Sequence, residues 1–211
     1  ILPEGGGEQV TLPWAVTTVR VPWPPGADHL IVDGQVVVPS DARPKWRDGE
    51  SASPVAVTGD SSERLDLVIL ADGYLAEEEA DFDADVQTIV LHLLDLDPYS
   101  RYAGFFNIWK HFTPSDRSGL TGLSGPHDDT ALGCYYGCFD TARLICCDDA
   151  VVATTANEAV PGADGILVLV NDNKYGGSGS SAYATSYVGA EFIDVASHEL
   201  GHTLVALWDE Y

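Results

Sequence analysis

Two periods of apolar residue run through this chain, and the places where one gives way to the other mark its elements. Leu65-Asp66-Leu67-Val68-Ile69-Leu70 is nearly continuous hydrocarbon and predicts a buried strand; Gly165-Ile166-Leu167-Val168-Leu169-Val170-Asn171 predicts another. Between them Phe82, Val86, Ile89, Val90, Leu93 and Leu94 recur at helical spacing. The helix they predict follows the turn Asp72-Gly73-Tyr74, carries Glu77, Glu78 and Glu79 in its first turn where negative charge suits the dipole, and ends before Pro98. A strand from Phe105 to Phe112 comes next. Phe192, Val195, Ala196, Leu200, Leu204 and Leu207 mark a last helix that should be largely buried.

The first sixty residues behave differently. They are rich in Pro, Gly and Val and lack helical periodicity. Val10-Thr11-Leu12 and Thr17-Thr18-Val19-Arg20-Val21 read as short strands. His29-Leu30-Ile31-Val32 and Gln35-Val36-Val37-Val38 flank Asp33-Gly34, which reads as a hairpin with a tight turn. Residues 41–64 are polar and turn-rich and look like a linker, 113–150 a long irregular stretch, and 174–183 a Gly/Ser loop. The expected fold class is α/β, a mixed sheet with helices over 61–211, preceded by a small β appendage over 1–60 that could be the remnant of a β-sandwich.

Charge narrows the function. With 33 acidic against 10 basic side chains and a formal charge of -23, the chain lacks the Lys and Arg clusters that nucleic acid or anionic membranes require. An acidic, solvated surface of the kind carried by secreted or salt-adapted proteins is the plain reading. The pairs Asp128-Asp129 and Asp148-Asp149 could offer oxygen ligands to Ca2+, although EF-hand spacing is absent. No apolar run is long enough for a membrane-spanning helix. The chain starts at Ile1 with no methionine anywhere, which suggests a processed or fragmentary product, and the end at Tyr211 looks truncated.

Four cysteines fall close together: Cys134, Cys138, Cys146 and Cys147. They do not form paired C-x-x-C knuckles, so disulfides in an oxidising, extracellular setting fit better than structural zinc. Cys138 with Cys146 would close a short loop, leaving Cys134 and Cys147 to pair outside it; a vicinal Cys146-Cys147 bond would be strained.

The most telling feature sits inside the last helix: His198-Glu199-Leu200-Gly201-His202. Histidines four apart share one helix face and can converge on one metal ion, for which Zn2+ is the usual occupant. Glu199 beside that ion can take a proton from water and pass it to a leaving amine. These are the parts of a zinc peptidase. A third protein ligand is needed, and Asp209, seven residues after His202, is the first candidate, before Glu210 and before a residue beyond 211. On a continued helix Asp209 would lie roughly 10 Å further along, so the chain has to turn back. The metzincin arrangement, with glycine three and a ligand six residues after the second histidine, fails here because Val205 and Trp208 stand there.

Other candidates carry less. Tyr175-Gly176-Gly177-Ser178-Gly179-Ser180-Ser181 matches neither phosphate-binding glycine motif, leaving a flexible connection or a cleft rim whose bare backbone approaches a peptide. His29, His92, His111 and His127 read as surface or core residues, His127 beside Asp128 being the one to test.

These blocks, in this order, resemble the IgA-peptidase family of zinc metallopeptidases. The residues that carry the likeness are 67–74, Phe106-Asn107-Ile108-Trp109, Asp129-Thr130-Ala131-Leu132-Gly133, Cys138, Arg143-Leu144-Ile145-Cys146, 167–171, 175–179, the H-E-x-x-H motif and Asp209-Glu210-Tyr211. The resemblance implies a metzincin-like α/β catalytic domain behind an N-terminal β domain, secreted or at the cell surface. It implies His198 and His202 as zinc ligands and Glu199 as the catalytic carboxylate. The chain departs from the family pattern at Ala206, where glycine is usual, and at Trp208, where a small residue is; Cys134 and Cys147 look like additions. The reading is therefore a secreted zinc-dependent endopeptidase acting on protein or peptide substrates, with Tyr211 or Tyr175 as candidate oxyanion donors. A zinc-binding surface or assembly module without turnover, and a purely structural zinc site, are the rivals.

Overall fold

A computed structural model describes residues 30–32, 35–37, 52–120, 125 and 129–209. Strands β1 (Leu30–Val32) and β2 (Gln35–Val37) pair antiparallel, Leu30 opposite Val37, as the Asp-Gly hairpin pattern predicts. The short strands expected at 10–12 and 17–21 lie outside the described residues.

The main body is one six-stranded mixed sheet. In chain order its strands are β3 (Ser53–Ala56), β4 (Leu65–Asp72), β5 (Phe106–His111), β8 (Gly165–Val170), β9 (Gly177–Gly179) and β10 (Ala184–Tyr187); across the sheet they run β3-β5-β4-β8-β10-β9. The four inner strands are parallel, and β3 and β9 are antiparallel edges. A two-stranded hairpin, β6 (Tyr135–Tyr136) with β7 (Ile145–Cys146), stands outside it. Parallel strands are covered on both faces, and that explains why β4 and β8 read as nearly continuous hydrocarbon.

Alternation along β4 distributes the core. Leu67, Ile69 and Ala71 face helices α1 (Glu79–Asp95) and α3 (Phe192–Val205), with Phe82, Val86, Ile89 and Leu93 of α1 and Ala196 and Leu200 of α3. Val68 and Leu70 face α2 (Asp149–Ala159) through Val152, Ala156 and Ala159. Each large side chain buried this way is worth roughly 1.5–3 kcal/mol. The α1 stripe falls where the periodicity puts it, except that Leu94 is only half-buried.

Three expectations need correction. The linker read over 41–64 contains β3, whose Pro54 sits on a bulged edge strand, where a missing N–H costs no ladder bond. Helix α2 falls where no element was expected; Asp148 caps it, accepting from the N–H groups of Ala150 and Val151. The last helix is less buried than its pattern suggests: it ends at Val205, and Leu207 and Trp208 beyond it are 61% and 89% exposed.

Both disulfides form as the loop argument anticipates, Cys138–Cys146 inside Cys134–Cys147. The buried polar groups have mixed fates. Asp66 accepts from Asn107 Nδ2 at 3.0 Å and Trp109 Nε1 at 2.8 Å. Asp72, fully buried at the end of β4, accepts the Leu132 N–H at 2.6 Å. Loss of solvent there outweighs that hydrogen bond and pushes its carboxyl up to about 6.

Candidate functional site

Helix α3 is held close against the sheet edge by residues with no side chain. A Cβ on Gly179 would lie 2.6 Å from the Glu199 carbonyl oxygen and 2.8 Å from His202 Cβ. A Cβ on Gly177 would lie 2.6 Å from Val195 Cγ1. The glycine stretch read as a loop is thus the edge strand β9, and its bareness lets the motif helix approach. Tyr99 OH, donating to the Ser197 carbonyl at 3.2 Å, ties the same helix to the 3-10 segment before β5.

At its far end α3 stops abruptly. Ala206 takes left-handed backbone (φ 51, ψ 39), and the Leu207 N–H returns to the Gly201 carbonyl at 3.2 Å. This reversal supplies the turn that Asp209 needs. Asp209 Oδ1 comes to 3.2 Å from His198 Nε2 and 3.5 Å from His202 Nε2, and the two Nε2 atoms are 3.2 Å apart. Among the described residues this is the group of His, Cys, Asp or Glu whose atoms converge closely enough to hold a metal ion.

The donor set can be tested against zinc. Ligands at about 2.0–2.1 Å in a tetrahedron lie about 3.3 Å from one another. The three spacings here, 3.2, 3.2 and 3.5 Å, match that edge length. His202 Nδ1 lies 2.6 Å from the Leu207 carbonyl oxygen and so carries the proton, which leaves the Nε2 lone pair facing the cluster. Two imidazole nitrogens at 3.2 Å without a shared proton would repel; a cation between them removes the conflict.

Glu199 is half-buried, and a Cβ on Gly179 would come 3.1 Å from its Oε2, so its carboxylate lies along β9. Burial raises its pKa, against the neighbouring charges of His198, His202 and Arg143 and together with Asp209. An apolar cavity of about 740 Å³ opens beside the three converging residues, with Leu65, Tyr99, Phe106, Leu204 and Trp208 among its walls.

The remaining candidates disperse. Tyr175 packs its ring on Tyr187 at 5.4 Å between centroids, while Glu210, Tyr211, His29 and His127 lie outside the described residues. His92 is 3.8 Å from Asp194, and His111 bonds Thr113 at 3.1 Å, so both have local duties. The acidic pair Asp148-Asp149 serves α2: Asp148 caps it, and Asp149 accepts from Tyr183 OH at 2.9 Å. Asp129 pairs with Arg117 at 3.2 Å. Asp128 lies outside the described residues, and the partners of Asp129, Asp148 and Asp149 among the described residues gather no further oxygens of the kind Ca2+ takes. Arg143 is marked in the sequence only as part of a block of the family likeness, with no role attached; the folded hairpin brings its charge near Glu199.

A helix that offers two histidines and a glutamate beneath the antiparallel edge of a mixed sheet has the layout of a metal-dependent peptidase. The profile of the IgA peptidase M64 family matches residues 54–211, and the chain belongs to that family. No curated protein matches the chain. Membership makes this a peptidase-family domain, with protein substrates and a metal cofactor as the family's chemistry. No helix among the described residues is long and apolar enough to cross a membrane, and the two disulfides suit an extracellular protein.

Proposed function

We propose that the chain is a secreted zinc-dependent endopeptidase whose catalytic domain opens with β3 and follows a small β segment. The observation that carries this reading is the match between the His198, His202 and Asp209 spacings and the edge of a zinc tetrahedron. In it these three side chains hold the ion.

The ion, when bound, supplies Lewis acidity toward a substrate carbonyl and water. The chain's own residues do the rest. Glu199, ionised and held along β9, takes a proton from the attacking water at its carboxylate. The same carboxyl then returns that proton to the departing amine, so Glu199 begins and ends the cycle as a carboxylate. Its half-buried position raises its pKa, which makes the carboxylate a stronger base toward the attacking water. His202 keeps its orientation through the Leu207 carbonyl.

Two measurements on Glu199→Gln test this. The variant should bind one zinc per chain, as wild type does, while hydrolysis of an unfolded protein such as denatured casein falls by about 100-fold or more. Undiminished hydrolysis would rule Glu199 out as the base. Zinc in the wild type with no hydrolysis of any unfolded protein would mark a binding module of this fold instead.

A further inference from the structure

We propose that Arg143 is the anion-binding group of the cleft: it takes a carboxylate of the peptide substrate near the scissile bond, so that acidic residues are preferred there. This rests on the peptidase reading for the bond that is cut, but not for the binding itself.

The first observation is that Arg143 stands apart from the other cations among the described residues. Arg101 pairs with Asp97, Lys110 with Asp83 and Arg117 with Asp129. Arg64 lies over the Phe105 ring and Lys174 over that of Tyr136. The exposed Arg143 guanidinium has no hydrogen-bond or ion-pair partner among the described residues. The chain carries a charge of -23, with 33 acids against 10 bases, and among its described cations the one left without a partner is the exception.

The second observation is where it is held. The Arg143 carbonyl accepts the Gly177 N–H at 3.1 Å, and a Cβ on that glycine would lie 3.4 Å from Glu199 Cγ. One residue of β9 therefore stands between the Arg143 backbone and the Glu199 side chain. Strand β7, two residues on, is tied down too, since the Ile145 carbonyl accepts from Ser178 Oγ and from Thr185 Oγ1. Disulfides Cys138–Cys146 and Cys134–Cys147 both enclose residue 143. An ordinary surface arginine samples many positions; this one hangs from a cross-linked hairpin fastened to the strand beside the catalytic carboxylate.

Chemistry then selects the ligand. A guanidinium fork matches a carboxylate with two parallel hydrogen bonds, and a scaffold already ordered loses less freedom on binding. A net charge of -23 disfavours anionic peptides in general, so attraction at this point acts as selectivity rather than general stickiness.

The test uses zinc-loaded Glu199→Gln protein and an array of mixed-sequence octapeptides in which one position at a time is fixed as Glu, Gln or Lys. The expected result is about tenfold tighter binding of Glu over Gln at one position, lost in the added variant Arg143→Gln and reversed toward Lys in Arg143→Glu. A purely structural arginine would weaken all three peptide sets alike. Equal binding of the three sets by all three proteins, or no binding at all, overturns the proposal. Wild-type protein is assayed on the same peptides for cleavage. Intact Glu preference without any cleavage would sink the peptidase reading and leave Arg143 its role, whereas cleavage indifferent to Glu, Gln or Lys would do the opposite.

Discussion

His202 Nδ1 stands 2.6 Å from the carbonyl oxygen of Leu207, so the turn that ends α3 also sets the tautomer of the histidine inside it. The same turn returns Asp209 to within 3.2 Å of His198. One reversal of the backbone at Ala206 thus aligns two of the three converging groups.

That reversal leads to the first prediction. Ala206 holds φ 51, a region where a Cβ costs about 1–2 kcal/mol and glycine costs nothing. Ala206→Gly should raise the melting temperature by roughly 2–4 °C and keep zinc affinity. Ala206→Val, with a branched Cβ in left-handed backbone, should lose at least about tenfold in zinc affinity, read by competition with a fluorescent chelator. Identical affinity in the valine variant would mean that the turn does not position Asp209.

Asp209 itself is 39% exposed and outside any helix, so its replacement should spare the fold. Asp209→Ala is expected to melt within a degree or two of wild type without metal, while zinc binding weakens by more than about 100-fold, beyond the usual effect of outer-shell partners. Unchanged zinc affinity would transfer the third position to Glu210 or to a later residue.

Close contact between β9 and α3 makes a third prediction. In Gly179→Ala the new methyl meets backbone at 2.6 Å, the Glu199 carbonyl, which cannot swing away as a flexible side chain could. The variant should lose about 1–3 kcal/mol of stability in urea melts, and hydrolysis should fall more steeply than stability because Glu199 and His202 shift with the helix. A stable, fully active Gly179→Ala would show that the strand and helix have slack.

Asp72 gives a pH signature away from the site. Its folded carboxyl is raised to about 6, so the fold prefers the neutral form. Below pH about 4 both folded and unfolded states hold the proton and the group is neutral in its effect; from about 4 to about 6 stability falls; above that the full cost, on the order of 3 kcal/mol, is in force. Asp72→Asn keeps an oxygen for the Leu132 N–H. It should therefore stabilise the protein at pH 7.5 and not at pH 4, compared by urea denaturation at both. A gain of equal size at the two pH values would contradict the assignment.

What the sequence revealed depended on range. Helix α1, strands β4, β5 and β8, and the nested cysteine pairs are written in local spacing or in continuous burial, and they appear where expected. Helix α2 leaves little trace in the sequence because only Val152, Ala156 and Ala159 mark its inner face, two of them alanines too small to make a stripe. Apart from Tyr187, strands β9 and β10 are built from Gly, Ser, Ala and Thr, whose strand character comes from their neighbours in the sheet. At the site, His198, Glu199 and His202 are legible because a helix fixes their spacing. Asp209 is suggested only by its closeness in sequence, since the turn that brings it back uses an alanine in a conformation that advertises itself only as glycine. Arg143 lies 56 residues before Glu199, and no local pattern could have joined them.

Zinc K-edge X-ray absorption on the metal-loaded protein tests the central claim most directly. The account predicts one zinc per chain in a shell of nitrogen and oxygen at about 2.0–2.1 Å, fitted by two imidazoles, with one imidazole fewer in His202→Ala. A shell containing sulfur, one without two imidazoles, or protein that takes up no stoichiometric zinc would contradict it.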